Sequence, residues 1–340
     1  MRALEGVAEL EHAVLLQYLY AAASLKRRAG EGPDELQLAR IRGWERTLLA
    51  IAREEMAHLA AVSNLLIAVG STPWLVRPGL PGGRLAAPEP ALALERFGPR
   101  SLARFIELER EESISGHYAA VRREIEASGD RVIRRIPVDR VDGWGVSGGA
   151  RLPPVTDAIT ALAVVDAIVG QGAGAAPASH LERLLAVEAE LAAEGPEFEP
   201  ARPVAAARIT NPSSRTVAEA FAAAYQATML LLELYYALVQ AHAGGATTAR
   251  RAAQGLMGGV LRPLGEVLTE LPLGDGAPGW TCGPHFAWDE RVERPTWAAA
   301  GVLLEQAGAG LRAAHGQGRL TTIAENLDLA GRLVARAGEP

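Results

Sequence analysis

The stretch WERTLLAIAREEMAHLAAVSNLLIAVG, residues 44–70, decides the fold. Trp44, Leu48, Ile51, Glu55, His58, Val62, Leu65 and Val69 recur at spacings of three and four. They therefore share one face of a helix over about residues 36–69, which Gly70 and Pro73 bring to an end. Two polar residues interrupt that apolar face. A carboxylate in such a place is costly unless it is protonated, paired or bound to a cation. Glu55 sits there, and His58 lies one turn further on, so both side chains aim at a single point beside the helix.

A helix over about residues 4–25 repeats the arrangement, with Glu11 and Tyr18 on the face formed by Leu4, Val7, Leu15, Ala22 and Leu25. Tyr18 is the candidate catalytic residue, placed to donate a hydrogen bond or a proton. Helical patterns return at 101–111, 114–127 and 156–169. Ser179 with Glu182 then reads as a capping box that makes His180 the opening residue of another helix. Pro- and Gly-rich stretches at 73–99 and 128–155 read as long crossover loops. Four prolines between Pro196 and Pro212 mark a boundary, after which 215–242, 250–271, 295–315 and 320–337 look helical. The organisation expected is a bundle over 1–195, a Pro-rich linker over 196–213, and a C-terminal helical region over 214–340 packed on the bundle.

Composition agrees with an all-α protein. Of 340 residues 49% are hydrophobic and only 5% aromatic, with Ala, Leu and Glu dominant, so a sizeable helical core can form. The net charge of -6 is spread without long runs of one sign and gives no reason to expect nucleic acid or an anionic membrane as partner. No run of about 18 uninterrupted apolar residues predicts a membrane span. Cys282 is the only cysteine, which excludes an intrachain disulfide and a thiolate metal cluster and suits a reducing cytoplasm. Gly170 to Gly174 lacks the lysine and the strand-to-helix setting of a phosphate loop.

Glu-x-x-His on one helix, faced by a lone Glu from its neighbour, is half of the carboxylate-bridged two-metal site of ferritin-like proteins. Glu11-His12-Ala13 with Tyr18, and Glu54-Glu55-Met56-Ala57-His58-Leu59 with Asn64 and Gly70, resemble that half. More narrowly the chain resembles the ferritin-like family that includes the iminophenyl-pyruvate dimer synthases of violacein-type and rebeccamycin-type pathways. Gly70-Ser71-Thr72-Pro73, Pro78-Gly79-Leu80-Pro81-Gly82-Gly83, Ser179-His180, Asn211-Pro212 and Cys282-Gly283-Pro284 follow in the family's order. The resemblance implies a ferritin-like four-helix bundle with an additional C-terminal helical layer. Metal ligands would be Glu11, Glu55, His58 and His180, and iron is the expected metal ahead of manganese.

The second half of the motif departs from the family. Gly116 and Gly170 stand where glutamates are expected, and Ala173 replaces a further acid. Glu112 and Asp166, each four residues earlier, are the candidate replacements one turn away. Three functions follow from this. The first is metal-dependent oxidative chemistry on a small metabolite in bacterial secondary metabolism. The second is a metal-free cyclase or isomerase using Glu11, Glu55 and His58 as acid and base. The third is a non-catalytic binding protein. A small-molecule substrate and a homo-oligomer are the partners expected.

Overall fold

The computed structural model describes residues 2–75, 92–110, 114–133, 155–172, 179–289, 295–314 and 318–339. They fall into two compact units. Described residues up to Ala201, without Trp74 and Leu75, form the first; those from Arg202 onward, together with Trp74 and Leu75, form the second.

The first unit is built on two long helices, α1 (Arg2–Ser24) and α2 (Glu35–Ala68), packed along each other. Asp34 starts α2 by accepting from the Gln37 N–H at 2.8 Å, while the Gln37 side chain accepts from the Asp34 N–H at 3.0 Å. Such a cap contributes about 1 kcal/mol. The other two arms of the bundle are each broken into a pair: α3 (Pro99–Leu108) with α4 (Ile114–Ser128), and α5 (Ala158–Gly172) with α6 (His180–Ala193). α3 packs on α6 and α4 on α5, while α1 supports α4 and α2 supports both α5 and α6. Leu10, Val14, Leu48, Ile51, Leu102, Phe105 and Leu184 fill the space between arms. Each such side chain stabilises the fold by about 1.5–3 kcal/mol.

Two bonds fix the entry to α3. The Ala93 N–H donates to Gln17 Oε1 at 3.0 Å and the Phe97 N–H to Ser24 Oγ at 2.8 Å, so α1 sets where α3 begins. Ser179 Oγ accepts from the Glu182 N–H at 3.2 Å and starts α6 at His180, as the capping pattern predicts. The glycine-rich stretch read as a loop is in part helical, because α5 runs on through Gln171 to Gly172. Glu112 and most of the crossover loops at 73–99 and 128–155 lie outside the described residues.

The second unit centres on α7 (Pro212–Gln240), capped by Asn211 Oδ1 accepting from the Ser214 N–H at 3.0 Å. By length and composition α7 is apolar enough to cross a membrane, but 78% of its most apolar window is buried within the protein. It carries Gln226 and Glu233 as well, and it is the core helix of its unit. Packed on it are α8 (Ala246–Leu256), α9 (Arg262–Leu268) and α10 (Trp297–Ala313), with α11 (Gly318–Gly338) against α8 and α10.

One continuous helix over 250–271 is expected from the pattern, and the structure breaks it with a π turn at Met257–Leu261. Pro263 has no N–H to give the carbonyl of Gly259, and Asn326 Nδ2 bonds that carbonyl instead at 2.9 Å. Two-residue strands β1 (Val204–Ala205) and β2 (Thr281–Cys282) pair in parallel, with Cys282 buried.

Candidate metal centre

Glu11, Glu55, His58 and His180, from α1, α2 and the start of α6, meet in the interior of the first unit, each at most 3% exposed. Glu55 lies between the two imidazoles. Its Oε2 is 3.3 Å from His58 Nδ1 and its Oε1 is 2.9 Å from His180 Nδ1. The two rings stack loosely, centroids 5.7 Å apart. Glu11 Oε2 is 3.5 Å from His58 Nδ1.

A third carboxylate joins them that the sequence reading did not single out. Glu109, the residue that closes α3, is 2% exposed and places Oε1 at 3.3 Å from His180 Nδ1. Gly172 makes room for it, since a Cβ there would stand 3.1 Å from Glu109 Oε2. The signal was present in the sequence. Leu102, Phe105, Ile106 and Glu109 follow helical spacing, and Glu109 completes the buried face of α3 just as Glu11 completes that of α1.

Two groups of donors result, each with its atoms within 4.8 Å of one another: Glu11, Glu55 and His58, and Glu55, Glu109 and His180. Glu55 belongs to both. Each outer carboxylate also accepts from a tyrosine. Tyr118 OH makes a short bond to Glu11 Oε1, and Tyr18 OH donates to Glu109 Oε1 at 2.6 Å. Tyr18 therefore acts on Glu109 rather than on Glu11, the residue whose helix face it shares.

The ring nitrogens facing away from the carboxylates are bonded too. His58 Nε2 donates to Gln171 Oε1 at 2.8 Å, and His180 Nε2 to Glu54 Oε2 at 2.8 Å. Arg183 holds Glu54 through both of its oxygens, at 3.2 Å from Oε1 and closer still to Oε2.

Asp166 is elsewhere. It is exposed and pairs with Arg122, because α5 turns Ala161, Val164, Val165 and Ile168 inward and leaves Ile159 and Asp166 outward. An almost wholly apolar helix gives no polar stripe from which to tell its inner face. Gly116 is exposed on α4, so the neighbouring residue that reaches the cluster is Tyr118.

Without a metal, protons hold this cluster together. Burial pushes the Glu11 carboxyl up to about 8, and the charge of Glu55 adds to the effect. Burial would lower His58, but the charges of Glu55 and Glu11 win and raise it to about 10. His180 is raised well above its ordinary value against its own burial, chiefly by Glu109. Burial likewise works against ionised Glu55, yet the two imidazoles hold it well below the usual carboxylate range. Both tyrosines are pushed well up, by burial and by the carboxylates they bond.

Three carboxylates and two imidazoles, sharing one bridging residue and screened from water, suit two borderline-to-hard divalent ions such as iron or manganese. With neutral rings and all three carboxylates ionised the donors carry three negative charges for two ions, so loading displaces the proton of Glu11 as well as those at both Nδ1 atoms. The donor set fits the group.

Fold and donor set together define a ferritin-like protein, and residues 4–139 match the ferritin-like family model. A crystal structure of a ferritin-like protein from Caulobacter vibrioides shares the fold, with a TM-score of 0.54 and 18% identity over 75% of this chain and 92% of that one. Two curated proteins give the more particular relationship. The chain is 31% identical over 341 residues to 2-imino-3-(indol-3-yl)propanoate dimerase of Chromobacterium violaceum, covering 83% of this chain and 33% of that protein. It is 32% identical over 382 residues to dichlorochromopyrrolate synthase of Lentzea aerocolonigenes, covering 86% and 36%. The chain thus spans about a third of the length of these relatives.

Proposed function

We propose that the first unit holds a pair of iron ions and uses them for oxidative chemistry on a small metabolite in secondary metabolism. The reading is carried by Glu55, whose two oxygens each face the Nδ1 of a different histidine, so that one carboxylate can serve two ions. Glu11 and His58 would complete one position, Glu109 and His180 the other. Iron in those positions supplies redox chemistry that no side chain here provides by itself.

The chain's own residues do the rest. Tyr118 and Tyr18 fix the outer carboxylates by donating to one oxygen of each. Gln171 and Glu54 accept hydrogen bonds from the two Nε2–H groups and so direct both Nδ1 atoms inward. Near-complete burial keeps bulk water from the centre and lowers the local dielectric. The dimerase among the relatives is named for an indolyl imino acid, which makes that class of compound the first substrate to test.

A second reading, acid/base chemistry without metal, is favoured by one observation: the protonated cluster already satisfies its own hydrogen bonds. Elemental analysis of protein produced with added iron separates the two. About two ions per chain, together with oxygen uptake on adding the imino acid, is the expected result. Fewer than about 0.2 ions per chain after anaerobic loading with iron(II) overturns the iron reading.

A further inference from the structure

The two metal positions differ in what stands behind their imidazoles. His180 Nε2 donates at 2.8 Å to Glu54, a carboxylate gripped by the Arg183 guanidinium. Arg183 bonds both oxygens of that carboxylate, so an ion pair stands behind this ring. His58 Nε2 donates at the same distance to the side-chain carbonyl of Gln171, which is neutral. An imidazole whose N–H is held by a carboxylate carries more electron density on its other nitrogen and is the stronger metal ligand. Loss of such a partner typically weakens binding 10–100-fold.

The chemistry at the front of each ring is nearly matched. Each Nδ1 faces shared Glu55 and one outer carboxylate, and each outer carboxylate accepts from one tyrosine. What distinguishes the halves is therefore the charge behind the ring.

Resting on the two-metal reading, we infer that the position of His180, Glu55 and Glu109 binds a divalent ion at least tenfold more tightly than that of His58, Glu55 and Glu11. Glu54 and Gln171 are the positioning residues that set the order. The site loads in sequence, with a singly loaded state in which His58 and Glu11 remain without an ion. Gln171, supplied by the last turn of α5, makes the second ion the more readily exchanged one.

Anaerobic titration of the full chain with cobalt(II), followed by its visible absorption, tests this. Two steps are expected, separated by tenfold or more in affinity. Because each step must be assigned, His58→Ala and His180→Ala are titrated as well: the first should retain the tight step and the second the weak one. Glu54→Gln, which keeps the hydrogen bond and removes the charge, should weaken the tight step about tenfold. Gln171→Glu should tighten the weak step by a similar factor, a gain that a damaged fold does not produce.

In the cobalt-loaded protein the Nε2–H protons should give two contact-shifted resonances that exchange with D2O, and Gln171→Glu should move one of them. Equal steps, retention of the tight step by His180→Ala, or a Gln171→Glu chain with unchanged affinity overturns the inference and leaves the two-metal reading standing. Absence of any cobalt binding by the parent chain overturns both.

Discussion

Glu55 touches both imidazoles, Glu11 and Glu109 only one each, and that inequality makes their substitutions distinguishable. Glu55→Ala is expected to abolish iron binding at both positions. Glu11→Ala or Glu109→Ala should leave about one ion per chain. Elemental analysis after anaerobic loading reads the difference, and one ion retained by Glu55→Ala would mean that the carboxylate is not shared.

Glu233, in the second unit, is a different kind of buried acid. It is 3% exposed and accepts from the Leu75 N–H, but burial dominates and pushes it up to about 7. Between its ordinary value of 4.5 and about 7 the folded chain keeps a proton that the unfolded chain has released. Stability therefore falls as pH rises through that window, by at most about 3 kcal/mol, and the loss is complete above it. Glu233→Gln should flatten this dependence and be the more stable protein at pH 8. Urea unfolding at pH 5 and pH 8 checks it; an equal loss of stability in both proteins would show that another group is responsible.

At the level of single elements, two joints between helices matter most. Ser179 both starts α6 and fixes the position of His180. Ser179→Ala should cost about 1 kcal/mol of stability. It should also weaken divalent-metal binding at the His180 position, while Ser179→Asp, which can cap as well, should restore both. Thermal unfolding and metal titration of the pair provide the comparison.

The π turn at Met257–Leu261 depends on Asn326 for the Gly259 carbonyl. Asn326→Ala removes a side-chain donor to that oxygen and should cost roughly 1–3 kcal/mol.

For the whole molecule, the division into two compact units sets how bound metal should stabilise the chain. All five proposed ligands belong to the first unit, and Glu233 to the second. An ion at a hundred times its dissociation constant adds about 2.7 kcal/mol to whatever unfolds with its site. Scanning calorimetry with and without manganese(II) should show one transition moving upward and another staying in place, and the second alone should respond to Glu233→Gln. Coincident shifts of every transition would show that the units unfold together.

Sequence by itself determined most of the helices and half of the candidate centre. Spacings of three and four place Glu11 on α1 and Glu55 with His58 on α2 whatever surrounds them, because a helix face depends on local geometry alone. The start of α6 at His180 was legible for the same reason, through a cap whose two residues lie three apart in the chain. The other half needed the tertiary structure. Glu109 was open to the same periodic argument, but that it meets His180 depends on α3 packing against α6, a contact 71 residues apart in the chain.

Asp166 shows the opposite case. One turn from the expected position, it has the right chemistry and faces outward, since the inner side of an apolar helix is chosen by its neighbours. Gln171 and Glu54 stand behind the rings only because the end of α5 and the middle of α2 are brought beside them. Which residues can be ligands is a local property, readable from one helix at a time; which of them converge on one point is decided by the packing of separate elements.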